Sequence, residues 1–188
     1  LIDLLKSIGR LDDAIQQYMD LANIYYLLAE LDLSRQTYQS ALALSQQSSS
    51  TRQLAIQILN KLADIELQSL DWKQAIRIFE QLRSLQPQDP APRATLIDLH
   101  LQMGANVAAM SELDSYLKIM AGPENSTKRI HFIEKLLEDR PGEAGLQKRL
   151  VEFYLEQGQT PKAIEKLDAL AEKLLKEARE SSTVERDV

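Results

Sequence analysis

The sequence contains no cysteine, and this absence removes several kinds of chemistry at once. Disulfide frameworks, thiolate zinc sites and cysteine nucleophiles are all excluded. A chain without cysteine fits a reducing compartment, and we expect a cytoplasmic protein. Aromatic residues are also scarce, at 5% of the chain, which favours helices packed through small residues over an aromatic-cored β-sandwich.

Long apolar runs and an excess of positive charge are missing as well. No window approaches the roughly 18 uninterrupted apolar residues that a membrane-spanning helix needs, and no signal segment opens the chain. The net charge is −6, whereas a nucleic-acid surface requires clustered lysine and arginine. We therefore expect a soluble protein that binds neither a membrane nor nucleic acid.

Signatures of catalysis are absent too. The two histidines, His100 and His131, stand too far apart to form a metal-spaced pair. Neither a glycine-rich phosphate loop nor a Gly-x-Ser-x-Gly elbow occurs. The sequence predicts a protein that is not an enzyme and that holds no cofactor and no metal.

Helical periodicity runs through the whole chain, and no convincing strand pattern interrupts it. The apolar spacing predicts about ten helices, at residues 1–8, 11–30, 32–46, 52–69, 72–86, 90–103, 106–120, 126–139, 143–158 and 160–179. The polar run from Ser45 to Thr51 is predicted to be a solvated loop, and the residues after Arg179 a frayed tail.

A three-position signature recurs among these helices. A small or apolar residue is followed five positions later by alanine, and four positions later by a bulky apolar residue. The copies are Gly9/Ala14/Tyr18, Leu70/Ala75/Phe79, Gly104/Ala109/Leu113 and Gly158/Ala163/Leu167, with a weaker one at Ala29/Ser34/Tyr38. The step from Ala75 to Ala109 is 34 residues. Self-similarity at that period predicts stacked helical units that share one continuous core.

The stretch from Ile56 to Pro87 carries apolar, small and turn residues at spacings that resemble a tetratricopeptide (TPR) repeat: Leu62, Ala63, Leu67, Trp72, Ala75, Phe79, Leu82 and Pro87. The unit from Pro90 to Ala121 follows in register, and another begins at Ala144. The resemblance implies an all-α fold, a right-handed superhelical α-solenoid of antiparallel helix pairs.

The repeats predict a single helical domain over residues 1–180, with a flexible tail at 181–188. Its units fall at about 1–20 (truncated), 15–48, 56–89, 90–122 and 144–179, with an extra helix at 126–139. Two spacings depart from the 34-residue period, because each includes an additional 20 residues, the length of one helix. The helix at 11–30 is expected to serve two units, and the helix at 126–139 to be unpaired.

In TPR proteins the first helix of each unit lines an inner groove that holds a partner segment. By register, one groove position is occupied by Asp64, Asp98 and Glu152, and by Asn23 and Asp3 upstream. A surface of one charge sign concentrates and steers the opposite charge, so the partner is expected to be a protein or peptide segment, possibly basic. Solvated polar positions without a ligand are the alternative interpretation.

Further groove candidates are Tyr26, Asn60, Lys61, His100, Lys148 and Arg149. Lys61, Lys148 and Arg149 would neutralise part of an acidic field, and His100 fits a packing role equally well. The basic and amide set with which some TPR relatives clamp a carboxyl terminus is incomplete, because Ala91, Ala94 and Thr95 occupy the required positions. A carboxylate clamp of that kind is not expected.

The sequence therefore predicts a non-enzymatic scaffold that binds a partner peptide or helix in its concave groove. The alternative is a regulatory or structural TPR domain of a larger bacterial multidomain protein, concerned with signalling or transcription. The chain starts at Leu1, without methionine, inside an apolar helical pattern, and we expect it to be a piece of something longer.

Overall fold

The computed structural model describes residues 1–47 and 51–184, without the side chains of 173–174 and 176–184. Within that part of the chain the protein is all-α. Its ten helices are α1 (Ile2–Ser7), α2 (Leu11–Leu27), α3 (Leu31–Ser45), α4 (Arg52–Gln68), α5 (Trp72–Leu85), α6 (Pro90–Gln102), α7 (Asn106–Ile119), α8 (Ser126–Asp139), α9 (Ala144–Glu156) and α10 (Thr160–Val184). The predicted number and order of helices are confirmed.

The chain divides into two compact units, Leu1–Tyr116 and Leu117–Val188, and the boundary falls inside α7. In the first unit the helices from α1 to α6 each pack against the next along the chain. The helix α2 contacts both α1 and α3, as its double assignment predicts. In the second unit α9 packs against α8 on one side and α10 on the other.

The first position of the recurring signature is a left-handed helix end. Gly9, Ala29, Leu70, Gly104 and Gly158 all have φ between 56° and 75°. The amide of the following residue reaches back to a carbonyl five residues earlier, as in the bond from Asp71 N to Glu66 O at 3.0 Å. This closure satisfies carbonyls that the helix leaves open and reverses the chain into the next helix.

The second signature position is the tightest point of each helical hairpin. Its five residues are completely buried: Ala14, Ser34, Ala75, Ala109 and Ala163. Ser34 is tolerated in place of alanine because its hydroxyl donates to the carbonyl of Ala22 on α2, at 2.8 Å. A small side chain at this position lets two antiparallel helices approach closely, as the sequence predicts.

The third signature position depends on what covers it. Tyr38 and Leu113 are buried and fill the space beside a neighbouring helix. Leu167 was expected to do the same, but that prediction is wrong because its side chain is 45% exposed. The predicted polar cap is also wrong, since Ile164 and Leu175 on the same side of α10 are exposed as well.

Other differences from the predictions concern loops and pairing. Ser45 and Thr51 are buried rather than solvated, and the Thr51 hydroxyl donates to the Ser45 carbonyl. Residues 48–50 of that loop, and 185–188 of the predicted tail, lie outside the described residues. The last helix continues to Val184, five residues beyond its predicted end.

The helix α8 was predicted to be unpaired, whereas it packs against α9. The Tyr154 hydroxyl of α9 donates to Glu134 of α8 at 2.5 Å, and the Arg129 guanidinium lies 4.7 Å from the centre of the Phe153 ring. Side-chain contacts of this kind need not follow the 34-residue period, so the spacing alone gave no sign of them.

Candidate partner-binding surface

The helix α4 has two faces of different character, because buried and exposed residues alternate with the helical period. Leu59, Leu62 and Glu66 lie on the packed side and are at most 3% exposed. Asn60, Lys61 and Asp64 lie on the opposite side and are exposed. The sequence placed these three residues on a groove face, and the structure brings them together on one exposed side of α4.

The neighbouring exposed face of α2 carries Asp20 and Asn23, which are one helical turn apart. Asp20 accepts a hydrogen bond from Gln16 at 2.9 Å. Asp20 was not predicted as a site residue, although its position one turn before Asn23 would have indicated it.

Asp20 and Asp64 act on the same buried group. Burial raises the pKa of the Tyr38 hydroxyl, and the charges of Asp64, Tyr26 and Asp20 raise that pKa further. The Tyr26 hydroxyl also accepts a hydrogen bond from Gln68 of α4. These interactions connect α2 with α4 and place their carboxylates around one tyrosine. We name the exposed residues Asp20, Asn23, Asn60, Lys61 and Asp64, together with Tyr26, the acidic face.

Lys61 lies three residues before Asp64 on α4 and therefore reduces the negative field of this surface. Two carboxylates and one ammonium group remain, so the acidic face keeps a net negative charge. Exposed charges of one sign attract an oppositely charged segment over roughly one Debye length, about 8–10 Å. The arrangement is suited to recognition by charge and shape, with no sign of a reaction centre.

The α6 candidates do not share one face. Asp98 is half-buried and accepts a hydrogen bond from Gln102 at 2.7 Å. His100 lies roughly 160° around the helix from Asp98, by the 100° that each residue turns. It stands on the packed side of α6, one turn after the buried Leu96, and is half-buried itself.

The remaining candidates belong to the second unit. Glu152 of α9 forms a 2.7 Å ion pair with Arg149, three residues before it, and Lys148 is exposed. Because Arg149 compensates its charge, Glu152 contributes less to a negative surface than the repeat spacing suggested. The neighbouring Arg149 could have indicated this pairing from the sequence alone.

Within the described residues, no cluster of three or more histidine, cysteine, aspartate or glutamate side chains could hold a metal ion. Of the helices in that part of the chain, none combines the length and the apolar content that crossing a bilayer requires.

Comparison with known families now identifies the class of protein. Two sequence profiles, both described as tetratricopeptide repeat, match residues 13–88 and 66–124. Together they span more than half of the chain. The chain belongs to the tetratricopeptide repeat family.

Solved structures of helical repeat proteins are similar to this chain at low identity. The type III secretion translocator chaperone SycD of Yersinia enterocolitica is 18% identical, with a TM-score of 0.49, over 73% of this chain and 96% of its own. MamA is 16% identical, with a TM-score of 0.47, over 88% of this chain and 94% of its own. No curated protein sequence matches the chain.

A third structure is PcrH in complex with the chaperone binding region of PopB. It is 16% identical to this chain, with a TM-score of 0.46, and the similarity covers 64% of this chain and 92% of PcrH.

Proposed function

We propose that this chain is a non-enzymatic protein-interaction scaffold whose acidic face binds a basic segment of a partner protein. Its family is in general a non-catalytic interaction fold. Preformed helices present the surface, so the ordering cost of binding falls mainly on the partner segment.

The observation that supports the proposal is the convergence of Asp20 and Asp64. Both carboxylates are exposed, they come from two packed helices, and both influence the Tyr38 hydroxyl. The amides of Asn23 and Asn60, exposed beside them, can hydrogen-bond the backbone of an extended peptide. Lysine or arginine side chains of the partner would then pair with the two carboxylates.

The test uses fluorescein-labelled peptides that are rich in lysine and arginine, with glutamate-rich peptides of the same length for comparison. Fluorescence anisotropy with the full chain should show tighter binding of the basic peptide. Its affinity should fall as the salt concentration rises, because the charges involved are exposed. The variant Asp20→Lys plus Asp64→Lys should lose roughly tenfold or more in affinity, since two attractive contacts become repulsive.

A matched control is Glu138→Lys plus Glu156→Lys, two exposed glutamates of α8 and α9. Both double variants change the net charge equally, so the control separates a local contact from an overall charge effect. Helical content measured by circular dichroism should be the same for both. Equal binding by the two double variants would refute the acidic face as the binding site.

A cytoplasmic location, which the sequence suggested through the absence of cysteine, remains part of this proposal. Fractionation of cells that produce the chain in its natural context would test the location directly.

A further inference from the structure

The opposite side of α4 forms the floor of a second groove within the first unit. Two overlapping cavities, of about 710 Å³ and 470 Å³, lie between α3 and α5. They share Leu42 of α3, Leu59 of α4, and Arg77 and Gln81 of α5. On α5 the groove runs from Gln74 to Leu85, about 16 Å at 1.5 Å per residue. We name it the α3–α5 groove.

The floor of the larger cavity is apolar. Ala55 and Leu59 form the base from α4 and are 8% and 1% exposed, while Leu42 and Leu85 form the sides and are partly buried. A concave, mainly apolar surface of this kind is suited to the anchor side chains of a ligand. This surface does not belong to the acidic face, because Leu59 and Asp64 lie on opposite sides of α4.

The charged side chains around the larger cavity are Arg52, Arg77 and Glu80. The Arg52 guanidinium donates to the Leu85 carbonyl, a neutral group, and therefore keeps its positive charge uncompensated there. Arg77 is exposed at the middle of the groove, and among the residues that the structure describes we find no hydrogen bond or ion pair to its guanidinium. Glu80 at the rim offsets one of the two cations, so the larger cavity has a net positive rim.

The smaller cavity adds no free cation in the described residues. Its Arg35 is held by Glu66 at 2.7 Å and by Asp32 at 2.6 Å. Asp71 caps α5 by accepting from the amide of Gln74. Arg77 is therefore the charged group on which the selectivity of the groove depends.

We propose that the α3–α5 groove is a second docking site, which accepts a short amphipathic segment of a partner protein with leucine-like anchors and a carboxylate. The anchors fill the floor over Ala55 and Leu59, and the carboxylate pairs with the Arg77 guanidinium. The groove length matches about three helical turns, or about five residues of extended chain. The two faces of α4 thus select partners of opposite charge.

The experiment compares three labelled peptides of about twelve residues, a length that three helical turns require. The first has leucines at helical spacing with glutamates between them. The second replaces the glutamates by lysines, and the third keeps the glutamates but replaces the leucines by serines. Anisotropy with the full chain should show the first peptide bound most tightly, and both replacements should weaken binding at least fivefold.

Charge reversal at the groove is the decisive step. Arg77→Glu should weaken binding of the acidic apolar peptide by roughly five- to tenfold, as expected for a partly exposed charge contact that becomes repulsive. Arg77→Lys should restore most of the affinity. Gln81→Trp, at an exposed position that lines both cavities, should block the groove and abolish binding.

The matched control is Lys61→Glu, which makes the same charge change on the acidic face of α4 and should leave binding of the acidic apolar peptide unchanged. Equal effects of Arg77→Glu and Lys61→Glu would overturn the proposal, as would the absence of binding by the first peptide. The two sites are distinguishable, because the basic peptide responds to Asp20 and Asp64 and the acidic apolar peptide to Arg77.

Discussion

At the scale of single residues, backbone conformation explains the first position of the repeating signature better than side-chain size. Five residues there share a left-handed φ, and three of them are glycine. The sequence indicated a helix end at the glycines, since glycine adopts this conformation without strain. Ala29 and Leu70 gave no such signal, because an L-residue with a Cβ rarely adopts positive φ.

Leu70 provides a test of that explanation. Its φ is 56° and its side chain is 65% exposed, so it bears the left-handed strain and contributes little burial. Leu70→Gly should raise the free energy of unfolding by about 0.5–1 kcal/mol, the strain relieved less the greater flexibility of the unfolded chain. Urea denaturation followed by circular dichroism measures the change.

Leu28 is the matched control, because it is 66% exposed but has a φ of −84°. Leu28→Gly should therefore lower stability or leave it unchanged. A gain of stability in both variants would show that the backbone conformation is not the cause.

Tyr154 offers a second test at this scale. Its side chain is only 3% exposed, and burial together with the hydrogen bond to Glu134 raises its pKa to about 12. The folded state thus favours the neutral phenol. Stability from this group is complete below about pH 10, the ordinary tyrosine pKa, and is lost as the pH rises from about 10 to 12.

The ultraviolet absorbance of tyrosinate should show one tyrosine that ionises last, near pH 12. Tyr154→Phe should remove that step and leave the earlier steps in place. If the variant lost an ionisation near pH 10 instead, the Tyr154–Glu134 hydrogen bond would not protect the phenol in solution.

At the scale of helices, the sequence was sufficient for the number, order and approximate bounds of all ten. Apolar residues repeat with the helical period throughout, and short turns separate the runs, so local information determined these elements. The partners of each helix were harder to predict. The position of α8 beside α9 depends on Glu134 and Arg129, whose contacts lie outside the repeat spacing.

The candidate site shows the same limit. Exposure of Asn23, Asn60 and Asp64 followed from repeat register. The proximity of Asp20 to Asp64 through Tyr38 is a contact between helices, which a single sequence does not specify. The α3–α5 groove was also missed, because its floor residues have the apolar pattern of ordinary core positions.

An ion pair between helices gives a prediction at this scale. Arg35 of α3 holds Glu66 of α4 through two bonds, of 2.7 and 3.2 Å, and the Glu66 side chain is 4% exposed. Glu66→Ala should lower the free energy of unfolding by about 1–3 kcal/mol, because it leaves the Arg35 guanidinium without its buried partner. Urea denaturation gives the value.

Asp32 is the other carboxylate on Arg35 and serves as the control, since its side chain is 89% exposed. Asp32→Ala should cost at most about 1 kcal/mol, as is typical of surface pairs. Equal losses in the two variants would mean that burial of Glu66 does not strengthen the pair.

At the scale of the whole molecule, the contacts within each unit join helices that are consecutive in the chain. Stability in such an array is approximately a sum of local terms and nearest-neighbour terms. A local disturbance should therefore remain near its origin instead of unfolding everything together.

Ala75→Leu tests this expectation, because Ala75 is fully buried at the hairpin contact of α5. Overpacking should cost about 1–3 kcal/mol. Hydrogen exchange should show the largest loss of protection in α4, α5 and α6. Ala163→Leu, at the equivalent buried position of α10, should have its largest effect in α9 and α10. Uniform loss along the chain in both variants would contradict nearest-neighbour behaviour.

The left-handed helix ends also have a consequence for how such a chain can change in length. Leu70 and Gly104 end successive first helices in the same conformation, 34 residues apart. A tandem duplication of residues 71–104 would join Gly104 to a second copy of Asp71, and so recreate a junction of the kind the protein already has. Insertion or loss of a whole repeat at these positions preserves every local turn. The helix ends are therefore natural points of recombination, in evolution and in protein engineering alike.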